Sequence, residues 1–566
     1  MLIILADVPA PRAGMTWHDY VLVVAYLIFT AGIVWWSSKR DADTEQYFLG
    51  GRRLPWFAVG LSIMATLLST ITYLGMPGEF IKNGITAMGQ YVAYLFVVPV
   101  VFNLFVPFFM RLRLTSVYEY LELRFDPLTR TIGGAIFFML RIGWIALVMY
   151  SAAIALEGMT VNDLRRVLEP LGLADHGVYV MIGALGVTAT IYAFFGGMRA
   201  VVWTDVLQAI MLFGGALVII AYVMIVTGDG FGAWIDTVRE RRAGHADPRI
   251  FSMNPTVRLT LLTVVINGFF WSICTQASDQ VVLQRYFTTT SVRAARNSFI
   301  VTIASQIAIG ILLTLAGLAL LHFYLKYPQN LGGGLTIDAA DKVMPYFYAH
   351  QLPLGFGGIV LANFLCDAMQ TLVSGVNSMS AVATEDLLPN KGPQRTAAEV
   401  ERHKLLVARV ITIGIGLFCT LAACGVAWIA ATQSKGIYDL LPRTFNWMLG
   451  PLASLFFVGM FIPRATRRSM LPAVSLALAV SFMWSWWEQI IGVDHQWYVD
   501  LFNYSKREGE TIQGLSITWA IAMPCLLSCG TAWVLSRFLD PDVDHPGRAY
   551  CWKEVMKRPA PTEGDA

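Results

Sequence analysis

Residues 201–227 read VVWTDVLQAIMLFGGALVIIAYVMIVT, a run in which Asp205 is the only charged residue. A helix of this length crosses the roughly 30 Å hydrocarbon core of a bilayer. Similar runs recur along most of the 566 residues, of which 56% are hydrophobic and 14% are charged. Soluble domains carry about 25% charge, so the composition predicts a protein that is solvated mainly by lipid.

The apolar runs predict about thirteen transmembrane helices and therefore an all-α polytopic membrane fold. A β-barrel is excluded, because its strands read as short alternating segments rather than long apolar runs. The predicted spans are 17–37, 55–78, 86–110, 131–157, 177–196, 201–227, 258–278, 298–322, 355–383, 405–431, 437–462, 470–491 and 515–536.

Basic residues concentrate in alternate loops, such as Lys39 after the first span and Arg111 after the third. Loops rich in Lys and Arg stay in the cytoplasm, although a long loop such as 228–257 follows this rule less strictly. An odd number of spans then places the N-terminus outside and the tail, residues 537–566, in the cytoplasm. We therefore expect a multi-pass protein of the plasma (inner) membrane.

The loops and motifs exclude several function classes. No loop is long enough for a soluble catalytic domain, and the sequence has no nucleophile–base pair, no Walker-type glycine loop and no zinc spacing among its seven cysteines. The net charge of +3 is spread among loops and points to no particular partner, so we expect neither a nucleic-acid partner nor an obligatory protein partner. We expect no enzyme, no catalytic residue and no cofactor, but a transporter of a small-molecule solute that is driven by an ion gradient.

The ninth predicted span carries five polar residues at positions i, i+3, i+4, i+7 and i+11, which place them on one helical face. They are Asp367, Gln370, Thr371, Ser374 and Ser378. Such a stripe offers oxygen atoms to a hard cation. The alternative is that it only forms hydrogen bonds between helices, although a carboxylate in mid-membrane is costly for that purpose alone.

Two spans carry signs of an interrupted helix, which transporters use to expose backbone groups to ions and substrates. The second span has a run of hydroxyl residues followed by Gly75, Pro77 and Gly78, and the seventh contains Asn267 and Gly268. We expect breaks at these Gly and Pro positions, with an ordinary helix end at Pro77 as the alternative. The polar side chains nearby predict a solute site formed by Ser69, Thr72, Ser272 and Gln276.

Two further charged residues lie within predicted spans. Arg141 of the fourth span needs a carboxylate or carbonyl groups if it is buried, and Asp367 is one possible partner. Asp205 lies where the sixth span opens, and it either binds an ion or caps the helix N-terminus. Both interpretations of Asp205 stay open.

Five stretches of the sequence resemble the sodium:solute symporter family, and the resemblance runs from about residue 17 to about residue 470. They are Tyr47–Arg52, Thr115–Phe125, Gly196–Asp205, Asp279–Arg285 and Asn377–Leu387. The resemblance implies a LeuT-like inverted-repeat fold, with a first repeat at 55–227 and a second at 258–462. One extra helix, 17–37, precedes the repeats, and two trailing helices occupy 470–536.

By the same resemblance, the main sodium site is formed by Ala65, Leu68, Asp367, Gln370 and Thr371, with Asp367 contributing its backbone carbonyl. Gln370 departs from the family pattern, in which a serine is common, and a carboxylate at the position of Asp367 is unusual. Sodium is the co-transported ion that the resemblance implies, and a proton on Asp367 is the alternative.

A second sodium site, found in some relatives, would match Asp205 and Ser374 in this chain. Val373 breaks that second pattern.

The resemblance also implies a symporter that imports a small polar organic solute with sodium by alternating access. Thr115–Phe125 and Glu385–Leu387 favour a monocarboxylate, a vitamin or a similar anion. Asp279–Gln280 resembles the sugar branch instead, so a sugar or amino-acid symporter stays open. A transporter-like solute sensor without flux is the alternative from another class.

Overall fold

The structure is a computed structural model that describes residues 11–12, 14–38, 43–242, 260–332, 335, 340–387, 397–433, 442–490, 519–540 and 545–560. Within these residues, every regular element is a helix. The α-helices are α1 (Trp17–Ser38), α2 (Thr44–Leu49), α3 (Trp56–Leu67), α4 (Thr70–Asn83), α5 (Tyr94–Val100), α6 (Val106–Leu112), α7 (Glu119–Arg124), α8 (Pro127–Leu168), α9 (Gly177–Phe195), α10 (Met198–Thr227), α11 (Phe231–Arg242), α12 (Leu261–Ser278), α13 (Gln280–Phe287), α14 (Val292–Lys326), α15 (Ala340–His350), α16 (Phe356–Leu387), α17 (Ala397–Gln433), α18 (Trp447–Phe461), α19 (Arg467–Ile490), α20 (Ala522–Phe538) and α21 (Trp552–Lys557). Short 3-10 segments span Gly50–Arg52, Gly84–Ala93, Glu169–Leu171, Ala174–His176, Pro328–Asn330 and Pro546–Tyr550, and π-helical turns span Val101–Phe105 and Pro442–Asn446.

Eleven of the described helical segments are long and apolar enough to cross a membrane, and the bent pair α3 and α4 supplies a twelfth. The thirteenth predicted span corresponds to α20, a helix of 17 residues. The predicted all-α polytopic fold is confirmed. Parts of the predicted spans 258–278, 437–462, 470–491 and 515–536 lie outside the described residues.

Two spans are interrupted, but not at the predicted Gly and Pro positions. The axes of α3 and α4 meet at Leu68 and Ser69 with a bend of 72°, and α4 continues through Pro77. Helix α12 runs unbroken through Asn267 and ends at Ser278, so that Asp279 separates it from α13. Leu68 (φ −88°, ψ 109°) and Asp279 (φ −87°, ψ 113°) leave the helix in the same extended conformation.

Two of the residues at the predicted breaks, Pro77 and Gly268, serve close helix packing instead. A side chain at Gly268 would lie 3.3 Å from the Gln90 carbonyl oxygen, and one at Gly317 would lie 2.9 Å from the Pro77 Cα atom. Small residues let neighbouring helices approach closely, and transmembrane helices tolerate Pro where adjacent helices cover the distorted turn. The predicted break positions were wrong, and for Pro77 and Gly268 the physical reason is that these residues serve packing between helices.

Helix α16 lies at the centre of the bundle. In the most apolar part of this helix 89% of the residues are buried, whereas the corresponding value for α1 is 28%. Helix α16 packs against α1, α3, α4, α8, α9, α10 and α17. Polar side chains on so enclosed a helix require protein partners or a bound ligand, because lipid and bulk water are both out of reach.

The segment that follows α20 packs against α6 and the π-helical turn before it. Trp552 Nε1 donates a hydrogen bond to the Leu104 carbonyl oxygen at 3.1 Å, and Arg111 Nε donates to the Arg558 carbonyl oxygen at 3.1 Å. The part of the predicted tail that the structure describes is therefore docked on the transmembrane bundle.

Candidate ion and solute site

The break between α3 and α4 leaves backbone carbonyl groups without helical partners. The last hydrogen bond of α3 joins the Leu68 N–H to the Met64 carbonyl oxygen at 2.9 Å, and the Tyr73 N–H donates to the Ser69 carbonyl oxygen at 2.9 Å. The final carbonyl groups of a helix have no partner within it, and here these include Ala65 and Leu68. Such carbonyl oxygens are suitable ligands for a hard cation.

Polar residues of α16 contact the chain on both sides of this break. Gln370 Nε2 donates to Thr66 Oγ1 of α3 at 2.9 Å. The Asp367 carboxylate accepts a hydrogen bond from the hydroxyl of Thr70, the first residue of α4. Gln208 Nε2 of α10 donates to the same carboxylate at 2.8 Å. The polar face of α16 therefore spans the break, and we call this meeting point of α3, α4 and α16 the junction.

Three oxygen atoms at the junction are buried and have no hydrogen-bond partner among the described residues. They are Ser69 Oγ, Gln370 Oε1 and Thr371 Oγ1. Leaving a buried acceptor unsatisfied costs about 1–3 kcal/mol, so each of the three is a candidate ligand atom for a bound ion. The residues predicted as the main sodium site, Ala65, Leu68, Asp367, Gln370 and Thr371, are all buried on α3 or α16 or at the break.

For Ser378 the alternative interpretation of the polar stripe, hydrogen bonding between helices, is the correct one. Its hydroxyl donates to Gln284 Oε1 of α13 at 2.8 Å, which is an ordinary hydrogen bond between helices. The stripe thus divides into an end at the junction and an end that joins helices together.

An arginine lies between the two residues predicted for a second sodium ion. Arg285 Nη2 donates to Asp205 Oδ2 at 3.0 Å and to Ser374 Oγ at 2.8 Å, and the hydroxyl of Ser62 also donates to Asp205. The Arg285 and Asp205 side chains are both fully buried. Helix α10 begins at Met198, so Asp205 lies inside the helix and the capping interpretation was wrong.

Arg141 pairs with Asp279 and not with Asp367, which corrects the predicted partner. Arg141 Nε donates to Asp279 Oδ1 at 3.2 Å, and Arg141 Nη2 contacts Asp279 Oδ2. Asp279 Oδ1 also accepts the Val281 N–H at 3.0 Å and so caps α13. This pair ties α8 to the break between α12 and α13.

A cavity of about 260 Å³ adjoins the break between α3 and α4. The predicted solute residues Ser69, Thr72 and Ser272 line it, and Leu68 and Ser69 belong to both the cavity wall and the junction. The structure does not bring Gln276 to the cavity. The Gln276 Oε1 atom accepts a hydrogen bond from Tyr286 Oη at 2.6 Å instead.

Sequence reasoning missed most of the polar and aromatic groups of the cavity wall. The missed side chains are Gln90, Tyr91, Tyr94, Trp144, Trp271, Gln306, Phe445 and Asn446, and Asn267 was considered only as a break. The sequence does carry a signal for Gln90 and Gln306, because each is an isolated carboxamide inside an apolar run. Burying such a group in a membrane span is costly, which marks it as a candidate functional residue.

The sequence that carries this site matches one known protein family over most of its length. The family model described as "Sodium:solute symporter family" matches residues 47–475, which is most of the chain. The chain belongs to the sodium:solute symporter family. Members of this family are secondary transporters and not enzymes, so the chain is a multi-pass, sodium-coupled symporter for which no enzymatic cofactor is indicated.

Two relatives show how widely the family's solutes vary. The sodium/sialic acid symporter NanT of Aliivibrio fischeri is 29% identical over 462 residues, which cover 81% of this chain and 86% of that protein. The human sodium-coupled monocarboxylate transporter 1 is 30% identical over 521 residues, which cover 91% of this chain and 79% of that protein.

A solved structure of a Na⁺-coupled sialic acid symporter, in a substrate-bound outward-open state, resembles this symporter with a TM-score of 0.73. The two chains are 24% identical, and the match covers 93% of this chain and 99% of the other. The likeness confirms the predicted LeuT-like fold.

Proposed function

We propose that this symporter imports a small polar organic solute together with sodium by alternating access. The observation that supports it best is the junction, where α16 forms hydrogen bonds to the chain on both sides of a break that also lines a solute-sized cavity. Leu68 and Ser69 belong to both places, so an ion at the junction and a solute in the cavity would share the same few residues. That shared border is the simplest physical route to coupling.

In this proposal the sodium ligands are the Ala65, Leu68 and Asp367 carbonyl oxygens, Gln370 Oε1 and Thr371 Oγ1. Gln370 fits because its amide nitrogen is already engaged with Thr66 at 2.9 Å, which leaves the amide oxygen for a cation. A second ion at Asp205 and Ser374 has less support, because Arg285 already supplies the positive charge that Asp205 needs.

The proposed mechanism follows from the geometry of the break. Sodium would hold α3 and α16 together and so favour one of the two access states, because a ligand shifts an equilibrium toward the state that it binds better. The solute would then bind beside Ser69, Thr72 and Ser272. Gln276 has a supporting role in this scheme, since its amide is engaged with Tyr286.

The proposed organisation places one inverted repeat at 55–227 and the other at 258–462, in the plasma (inner) membrane with the N-terminus outside. The equal backbone conformations of Leu68 and Asp279 support it, because inverted repeats place a broken helix at corresponding positions of both halves.

Uptake by the purified protein in proteoliposomes tests the proposed function. Labelled sugars, carboxylates and amino acids are offered under a sodium gradient, a lithium gradient or a proton gradient alone. We expect accumulation that requires sodium. Solute binding without accumulation would identify a sensor, and accumulation driven by protons without sodium would assign the coupling to Asp367 protonation.

A further inference from the structure

The cavity wall offers many hydrogen-bonding groups but no formal charge. Among the described residues that line it, the polar groups are carboxamides, hydroxyls and the indole N–H groups of Trp144 and Trp271, and none is Asp, Glu, Lys, Arg or His. The carboxamides are Gln90, Asn267, Gln306 and Asn446, and the aliphatic hydroxyls are Ser69, Thr72 and Ser272. A carboxamide both donates and accepts hydrogen bonds, as a solute hydroxyl group does. A carboxylate of the solute only accepts, so it needs donors from the protein.

Several of these groups have free capacity on the cavity side. Gln306 Oε1 accepts a hydrogen bond from Tyr94 Oη at 2.9 Å, so the Gln306 amide nitrogen is left to donate. Asn446 Oδ1 and Ser69 Oγ are buried acceptors without partners among the described residues. A ligand that satisfies these groups must therefore offer both hydrogen-bond donors and acceptors.

The buried charges nearby are already balanced within the protein. Arg141 pairs with Asp279, and Arg285 pairs with Asp205. The Asp367 carboxylate differs, because its hydrogen bonds come from Thr70 and Gln208, which are uncharged. A fully buried carboxylate needs a compensating cation, and the sodium ion of the proposed function would supply it.

The half-helix N-termini, which bind anionic solutes in other transporters, are also occupied. The Thr70 hydroxyl and backbone amide at the start of α4 both form hydrogen bonds to the Asp367 carboxylate. The start of α13 is capped by Asp279, which accepts the Val281 N–H at 3.0 Å. Neither helix dipole is left to compensate a negative charge on the solute.

We propose that the transported solute carries no net charge and is a hydroxylated ring of about monosaccharide size. This inference rests on the proposed function, because it assumes that one sodium ion balances the negative charge of the Asp367 carboxylate. Aromatic side chains give the ring a surface to pack on: Trp144 and Phe445 meet edge to face with centroids 4.7 Å apart, and Trp271 lines the same cavity. The volume of about 260 Å³ accommodates one such ring. The inference departs from the organic anion that the sequence favours.

Matched pairs of neutral and acidic sugars test the inference on the unaltered protein. Proteoliposomes receive labelled D-glucose and D-glucuronate, D-galactose and D-galacturonate, and D-mannose and D-mannuronate, together with lactate and N-acetylneuraminate. Initial uptake rates are measured with and without a sodium gradient, and currents are recorded on a solid-supported membrane. Binding of ²²Na⁺ to the same preparation is measured separately.

We expect sodium-dependent uptake of at least one neutral sugar, with a kcat/KM at least about tenfold above that of its uronate, because burying an uncompensated charge costs more than about 1.4 kcal/mol. The accompanying current should carry positive charge inward. Sodium-dependent uptake confined to the acids, or no uptake of any neutral sugar, would overturn the inference. Retained ²²Na⁺ binding in those cases would leave the proposed function standing, whereas loss of both sodium binding and sodium-dependent flux would remove that function too.

Discussion

Gln370 Nε2 of α16 donates a hydrogen bond to Thr66 Oγ1 of α3 at 2.9 Å, two residues before the chain breaks at Leu68. This contact fixes how the polar face of α16 is aligned with the open end of α3. Gln370 Oε1 and the hydroxyl of the adjacent Thr371 are buried without hydrogen-bond partners among the described residues. The alignment is what makes a cation site at the junction physically reasonable.

Replacing Thr371→Ala is expected to weaken sodium dependence without disturbing membrane insertion. The loss of one neutral oxygen ligand, worth about 0.5–1.5 kcal/mol, should raise the sodium concentration for half-maximal uptake by about two- to twelvefold. Uptake at varied sodium concentration measures this effect. Thr314→Ala is the matched control, because Thr314 Oγ1 donates only to the Gly310 carbonyl oxygen of its own helix, at 2.7 Å. Equal sodium dependence in both variants would remove Thr371 from the site.

Ser272→Ala and Gln276→Leu should behave differently although both positions lie on α12. Ser272 lines the cavity, so its loss should raise the KM for the solute while the thermal midpoint stays the same. Gln276→Leu leaves the buried Tyr286 hydroxyl without its acceptor and should lower the thermal midpoint instead. Ser278→Ala is the control for Ser272, because Ser278 Oγ donates only to the Cys274 carbonyl oxygen. A raised KM in Ser278→Ala, or an unchanged KM in Ser272→Ala, would contradict the assignment of the cavity wall.

The sequence was sufficient for the spans and for the polar stripe, because hydropathy and helical spacing are local properties. It was not sufficient for the breaks. Gly75, Pro77 and Gly268 are the residues that local rules associate with interruptions, yet close packing against other helices explains two of them. The true breaks at Leu68 and Asp279 carry no Gly or Pro. Asp279 caps the helix that follows it and pairs with Arg141, and α16 contacts both sides of the break at Leu68.

Charge pairing shows the same limit of sequence reasoning. The need of Arg141 for a partner followed from its position in a span, but the choice between Asp279 and Asp367 depended on which helices meet. The sequence marks Arg285 only as part of a motif, and the structure shows that it neutralises Asp205.

Arg285→Met should destabilise the protein strongly, because it leaves Asp205 buried without a counter-charge. Breaking a buried pair from one side costs about 3–5 kcal/mol, whereas removing both charges costs much less. Thermal unfolding in detergent should therefore give a lower midpoint for Arg285→Met than for the double variant Arg285→Met with Asp205→Asn. A double variant that is less stable than the single one would show that Arg285 is not there to balance Asp205.

Asp229, in the turn after α10, should make stability depend on pH. Hydrogen bonds from Lys326 at 2.6 Å and His322 at 2.9 Å hold the pKa of Asp229 below its ordinary value. A lowered pKa means that these bonds stabilise the fold above the ordinary aspartate range and are lost as the pH falls through the lowered value. Between pH about 5 and about 3, the thermal midpoint of the wild type should fall more steeply than that of Asp229→Asn. Asp236→Asn, which removes an exposed partner of Arg239, should keep the wild-type slope, and a parallel course of all three proteins would refute the role of Asp229.

Equilibrium binding of ²²Na⁺ to purified protein tests the junction most directly, with Asp367→Asn compared against the wild type and the Asp229→Asn control. Asp367→Asn keeps the carbonyl ligand but removes the negative charge that balances the ion, and in a buried site this should weaken sodium binding by at least about tenfold, or about 1.4 kcal/mol, while Asp229→Asn should bind as the wild type does. Wild-type sodium affinity in a folded, monodisperse Asp367→Asn protein would contradict the account.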